Sequence, residues 1–264
     1  LHQYGLYNEP YTIGDYRPCE LMTLINTPLV QKNRYYYIGL LLPAMEDNTN
    51  EDCEIPFDER SLMLRIDTAT GELNASKLHY PQLYKKAKGW GYLNKYSLEY
   101  DGENFVFSFN GLDSLYVTDN LETFKTYPAR SKYIEIVNEG FPRDLSIPLQ
   151  TTIVNNQARY GNLLYDKYRK VFYRFCHLKD EITTEADFSR NCRNNFIMCH
   201  AEFSIQVIDS EFNVIGETLF PRGKYAPMIS FVNKDGLWIS ENNYEKEDMS
   251  EDWLVFRCFK INEL

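Results

Sequence analysis

Tyr96-Ser-Leu-Glu-Tyr-Asp-Gly-Glu-Asn-Phe-Val-Phe-Ser-Phe109 is the stretch on which the fold reading turns. Two five-residue runs alternate with period two and are rich in rings, which pack well on a pleated surface. Between them stands Asp101-Gly102, a pair that tolerates positive φ and signals a β-hairpin. The same design returns twice. Ile229-Ser-Phe-Val232 and Leu237-Trp-Ile-Ser240 flank Asp235-Gly236, and Tyr160-Gly-Asn-Leu-Leu-Tyr165 precedes Lys170-Val-Phe-Tyr-Arg-Phe175.

A second hairpin type also recurs. Leu62–Asp67 turns into Gly71-Glu-Leu73, Leu115–Asp119 into Leu121–Phe124, and Ile205–Asp209 into Phe212–Glu217. In each, an Asp closes the strand, where its carboxylate can bond the turn backbone. The following strand stops at Tyr80-Pro81, Tyr127-Pro128 and Phe220-Pro221, because proline has no N–H to give a ladder. Basic residues come next: Lys85 and Lys86, Arg130 and Lys132, Arg222 and Lys224.

Placed in order, the hairpins predict four meanders. The first uses Glu20–Ile25, Arg34–Leu42, Ser61–Asp67 and Leu73–Tyr80, and the second runs Tyr96–Tyr127. The third uses Tyr160–Asp166, Lys170–His177, His200–Asp209 and Asn213–Phe220; the fourth has three strands, Met228–Val232, Leu237–Ser240 and Asp252–Ile261. Repeated four-strand meanders predict an all-β chain, a β-propeller forming one domain over residues 1–264. Tandem β-sandwiches are the structural alternative, and fit less well because no linker composition separates the units. Leu1–Tyr7 is expected to supply the fourth unit's missing strand; otherwise the chain is the C-terminal part of a longer ring.

Composition narrows the function classes. The formal net charge of −10 argues against nucleic acid and anionic membrane surfaces, which select clustered Lys and Arg. The longest apolar stretch, Tyr35–Leu42, is far shorter than a bilayer span. The chain does not open on Met, so no targeting segment can be read. Six cysteines without a Cys-x-x-Cys pair form neither a disulfide scaffold nor a zinc ribbon. No phosphate loop, Gly-x-Ser-x-Gly elbow or His-Glu-x-x-His occurs, so no cofactor and no catalytic residue are assigned.

The long connections 43–60, 178–199 and 241–251 all fall between the second and third strands of a unit. They emerge on the face that also carries the joins between units, which makes that face the expected working surface. Two of them are acidic, with Glu46, Asp47, Glu51, Asp52, Glu54, Asp58 and Glu59 in one, and Glu245, Glu247, Asp248, Glu251 and the adjoining Asp252 in another. They read as solvated loops rather than calcium sites, because the turn glycine is missing. Trp90, Tyr92, Arg143, Arg222, Lys224 and Tyr225 are candidates for a pocket that stacks a sugar or peptide. Arg159 and Tyr160 open a first strand and are expected to face the axis. Cys176-His177 and Cys199-His200 read as ordinary half-buried packing and no metal is assigned; the alternatives are a Cys176–Cys199 disulfide and a metal site with His177, Cys199 and His200 as its candidates. Adjacent strand residues point to opposite faces, so at most one from each pair can converge.

Residues 160–175, with Phe212–Pro221 and Phe231–Ser240, resemble an uncharacterised Bacteroides-type family of cell-envelope lipoproteins with a TolB-like six-bladed β-propeller. The resemblance covers roughly residues 96–264. It implies an N-terminal lipid anchor upstream, an envelope location and further blades, and it carries no catalytic residues. The expected function is therefore a non-enzymatic binding or scaffold module recognising a protein, peptide or glycan through one loop face. The alternative is a carbohydrate-active hydrolase or lyase.

Overall fold

Among the described residues, four antiparallel sheets follow one another along the chain, each with its strands in sequence order. The computed structural model describes residues 28–40, 61–83, 95–135, 137, 157–180, 201–243, 246 and 252–261. The first sheet holds β1 (Val30–Lys32), β2 (Tyr35–Gly39), β3 (Met63–Asp67) and β4 (Leu73–Ala75). The second holds β5 (Tyr96–Tyr100), β6 (Phe105–Phe109), β7 (Ser114–Thr118) and β8 (Lys125–Pro128). The third holds β9 (Arg159–Asp166), β10 (Val171–His177), β11 (Phe203–Ile208) and β12 (Val214–Phe220). The fourth holds β13 (Ala226–Asn233), β14 (Gly236–Ser240) and β15 (Phe256–Phe259).

The structure corrects some details of the expected strands. The described first strand of the first sheet is Val30–Lys32, reached through a turn with Asn33 at φ 57°. The segments Glu20–Ile25 and Leu1–Tyr7 lie outside the described residues. β11 begins at Phe203, not His200. In the second sheet Thr118 and Asn120, rather than Asp119, accept the turn N–H groups of Leu121 and Glu122. Gly236 is a strand residue paired with Asn233, so the turn is Lys234-Asp235. A Cβ on Gly236 would stand 2.3 Å from the Phe259 carbonyl oxygen.

Period-two alternation buries both faces of the inner sheets. On β6, Phe105, Phe107 and Phe109 pack with Tyr37, Met63 and Leu78 of the first sheet and its exit. Val106 points the other way and joins Leu115 and Val117 against Leu163, Phe172 and Ile208 of the third sheet. Tyr173, Phe175 and Ile205 then meet Leu237 and Ile239 of the fourth. Each such side chain contributes roughly 1.5–3 kcal/mol when fully buried, so face-to-face packing outweighs any single turn bond.

Across the seam between the second and third sheets lies Arg174, which is 0% exposed. Its Nε donates to Ser108 Oγ at 2.8 Å, Nη1 to the Ala129 carbonyl at 2.9 Å and Nη2 to the Leu112 carbonyl at 2.7 Å. The guanidinium carbon lies 3.5 Å from the Tyr160 ring centroid. All three acceptors belong to the second sheet and its connections, so one side chain of β10 clamps two sheets. Replacing Arg174 by Met leaves those acceptors without their donor, and should cost at least about 3 kcal/mol in urea unfolding. Arg174→Lys should not restore it, because an ammonium cannot span three divergent acceptors.

The first strands of these two sheets are also joined. Leu163 N donates to Ser97 Oγ at 2.9 Å. Two residues along β5, Glu99 faces the same way; burial pushes its carboxyl up to about 8, while the N–H groups of Tyr165 and Tyr100 pull it down. Below an ordinary carboxyl pKa of 4.5 both folded and unfolded chains hold this proton. Stability present there is lost as pH rises from 4.5 towards 8, because only the unfolded chain releases the proton. In Glu99→Gln that loss should vanish, read as a urea midpoint that falls less between pH 5 and 8 than in the parent chain.

Candidate functional site

The two ends of the sheets differ in chemistry. At one end are the tight hairpin turns, where side chains satisfy the turn backbone. Asp101 Oδ1 accepts from the N–H groups of Glu103 and Asn104, and Asp209 Oδ1 from those of Glu211 and Asn213. Asp166 is wholly buried and accepts from Tyr168 N, Arg169 N, Arg169 Nη1 and the Tyr173 hydroxyl. Turns of neighbouring sheets also touch: Lys32 Nζ donates to the Glu103 carbonyl at 3.3 Å, and Arg169 Nη2 to that of Lys234 at 2.9 Å.

At the opposite end the strands enter and leave the long connections and the joins between sheets, and there stand the described basic candidates. Arg159 is the first residue of β9 and pairs with His177 in the ladder. Lys95, immediately before β5, was not singled out from sequence. Asn110 N donates to the Lys95 carbonyl and Tyr160 N to the Asn110 carbonyl, both at 2.9 Å, so the β6–β7 turn stitches the starts of β5 and β9 together. Burial, then the Arg159 charge, lowers the pKa of the Lys95 ammonium. The same two causes, in the same order, hold His177 well below the ordinary histidine range. Lys95 and Arg159, at the starts of the first strands of the second and third sheets, thus form a basic cluster with His177 at the end of β10. Its sign in sequence was a cation directly before or opening each of those strands.

The remaining candidates divide. Arg222 Nη1 donates to Asp180 Oδ1 at 2.7 Å, tying the join after β12 to the connection after β10. Lys224 Nζ lies 5.4 Å from the centroid of the Tyr225 ring. Tyr225 itself is 5% exposed and packs edge-on against Phe220 and Phe259, so its ring belongs to the core rather than to a stacking surface. Tyr160 is 0% exposed; its ring carries Arg174 and its hydroxyl accepts from Ser131 N. Facing the axis as an open stacking ring is thereby excluded for Tyr160, since burial between two sheets occupies both its ring and its hydroxyl. Trp90, Tyr92, Arg143, Cys199 and His200 lie outside the described residues.

Cys176 stands opposite Ser204 and His177 opposite Phe203, which replaces the expected juxtaposition with Cys199-His200. Cys176 carries a free thiol. Burial pushes that thiol up to about 12 against the pull of Arg174, so it is a poor nucleophile and ligand. Among the described residues no group of three or more His, Cys, Asp or Glu could hold a metal ion, and no helix is long and apolar enough to cross a membrane.

Residues 9–219 match a family described as a domain of unknown function, DUF4221. The chain belongs to that family. A crystal structure of a DUF4221 member from Bacteroides vulgatus is similar to it, with 29% sequence identity and a TM-score of 0.73. The match covers 90% of this chain and 64% of that one, so the chain spans under two thirds of its DUF4221 relative. No curated protein matches the chain.

The basic cluster makes its own structural demand. A Cβ at Gly161 would lie 2.3 Å from His177 Nε2, and His177 is itself a buried ring. Gly161→Ala should therefore destabilise by roughly 1–3 kcal/mol. Combined with His177→Ala, it should cost less than the two single changes added together, measured in a urea double-mutant cycle. The depressed His177 pKa has a matching sign. Above the unfolded value of 6.5 its contribution is intact, and it is lost as pH falls below 6.5, because only the unfolded chain takes up the proton.

Proposed function

We propose that this chain is a binding or scaffold module of the bacterial cell envelope, recognising a protein, peptide or glycan through the end that carries its long connections. The observation that carries this reading is the contrast between the ends. Tight turns at one end spend their polar groups on their own backbone, while the other gathers the connections and the Lys95–Arg159–His177 cluster. Ligand-contacting residues concentrate on such loop ends of rigid scaffolds.

The sheets read as blades of a TolB-like propeller, six in the whole ring as the sequence resemblance implies. In support, first strands neighbour one another in series: Ser97 of β5 bonds Leu163 of β9, and Asn162 of β9 reaches the Pro227 carbonyl of β13 at 3.5 Å. The fourth sheet also keeps an aromatic row, Phe231, Trp238 and Phe256, on the face turned away from the third. A further blade would cover such a face, and the DUF4221 relative is long enough to supply one. Placement in the envelope rests on the same resemblance, with any membrane attachment coming from an N-terminal lipid anchor.

Glycan arrays and isothermal titration against envelope glycans and peptides test the reading. A ligand found this way should bind Arg159→Ala or Lys224→Ala about tenfold more weakly, while Glu103→Ala at the turn end leaves binding unchanged. Equal binding by all three variants would sink the loop-face assignment. Turnover of an envelope glycan would instead favour the hydrolase or lyase alternative.

A further inference from the structure

One row of polar side chains crosses the third sheet. Arg174 of β10 pairs with Gln206 of β11, and Gln206 pairs with Glu217 of β12. Cross-strand partners project from the same face of a sheet, and Arg174 shows which face this is, the one turned to the second sheet. The row therefore runs from a wholly buried cation, through an amide, to a carboxylate at the seam's edge.

Both ends of the row are well supplied. Arg174 has its three acceptors, and Glu217 Oε1 accepts from Ser131 Oγ and Ser204 Oγ, each at 2.5 Å, with Lys132 N donating to Oε2 at 3.0 Å. The middle is not. Gln206 is 0% exposed, and neither its Nε2 nor its Oε1 has a hydrogen-bond partner among the described residues. A buried amide with both atoms unpaired is costly, and native interiors relieve that cost with ordered water. What this amide needs is one donor and one acceptor at once, the pair that a single water supplies.

We propose that Gln206 is a buried water site, at which ordered solvent completes a polar bridge from Arg174 to Glu217 between the second and third sheets. The water donates to Gln206 Oε1 or accepts from its Nε2. Its remaining valences turn to the neighbours of Gln206 along the row, the Arg174 guanidinium on one side and the Glu217 carboxylate on the other. Because Glu217 anchors Ser131 and Lys132, the bridge also ties the sheet interior to the start of the connection that leaves β8 at the long-loop end.

A crystal structure of the full chain at about 1.5 Å resolution and one substitution decide the matter. Density for water within hydrogen-bond distance of a Gln206 amide atom is expected. Gln206→Met, of similar length but apolar, should raise the unfolding equilibrium constant at least about fivefold in urea titration, since it strips the bridge of its centre. A Gln206 amide dry in the density overturns the proposal, and so does a Met variant as stable as the parent or more so. An amide that had merely been left unsatisfied would gain from that replacement.

Discussion

The Arg174 guanidinium is the constraint around which the middle of the molecule is arranged. A cation removed from water must recover its hydration from fixed groups, and here Ser108, Ala129 and Leu112 provide it while Tyr160 faces its π surface. Those groups come from β6, from the turn after it and from the join after β8. The second sheet therefore cannot shift against the third without breaking charge-assisted hydrogen bonds in a dry seam. Apolar packing drives the sheets together, but it is non-directional. The buried cation supplies the register that packing alone would leave loose.

From that seam outward the two ends of the sheets take on different work. Hairpin turns close on Asp, Asn and Thr side chains, which leave little polar capacity for a ligand. The other end cannot be finished in that way, because the chain must cross from β2 to β3, from β10 to β11 and from each sheet to the next. There burial, and then the charge of Arg159, lowers the pKa of Lys95 and of His177. Membership of DUF4221 sharpens the fold comparison without naming a ligand.

Much of this was legible beforehand where the cause was local. Alternation around Tyr96–Phe109 located β5 and β6 to the residue, and the proline stops marked where β8 and β12 end. Where pairing across the sheet decided, legibility failed. The expected first strand, Glu20–Ile25, lies outside the described residues, and the segment found paired with Tyr35–Tyr37 is Val30–Lys32, which the alternation did not mark. Cys176 looked like a partner for Cys199, but its place in the ladder falls opposite Ser204, five residues further along, and register is set by pairing rather than by where an alternating run begins.

What the sequence determined by itself was the order of the meanders found among the described residues, since strand alternation and turn chemistry act over a few residues. It also marked the end on which the long connections gather, which follows from strand count alone. Tertiary structure decided the rest. That Tyr160 is a buried platform and not a ligand ring, that Lys95 joins Arg159, and that Gln206 sits between a cation and a carboxylate all depend on sheet meeting sheet. Such contacts link residues tens of positions apart, and no local periodicity encodes which of two alternating faces will meet which neighbour.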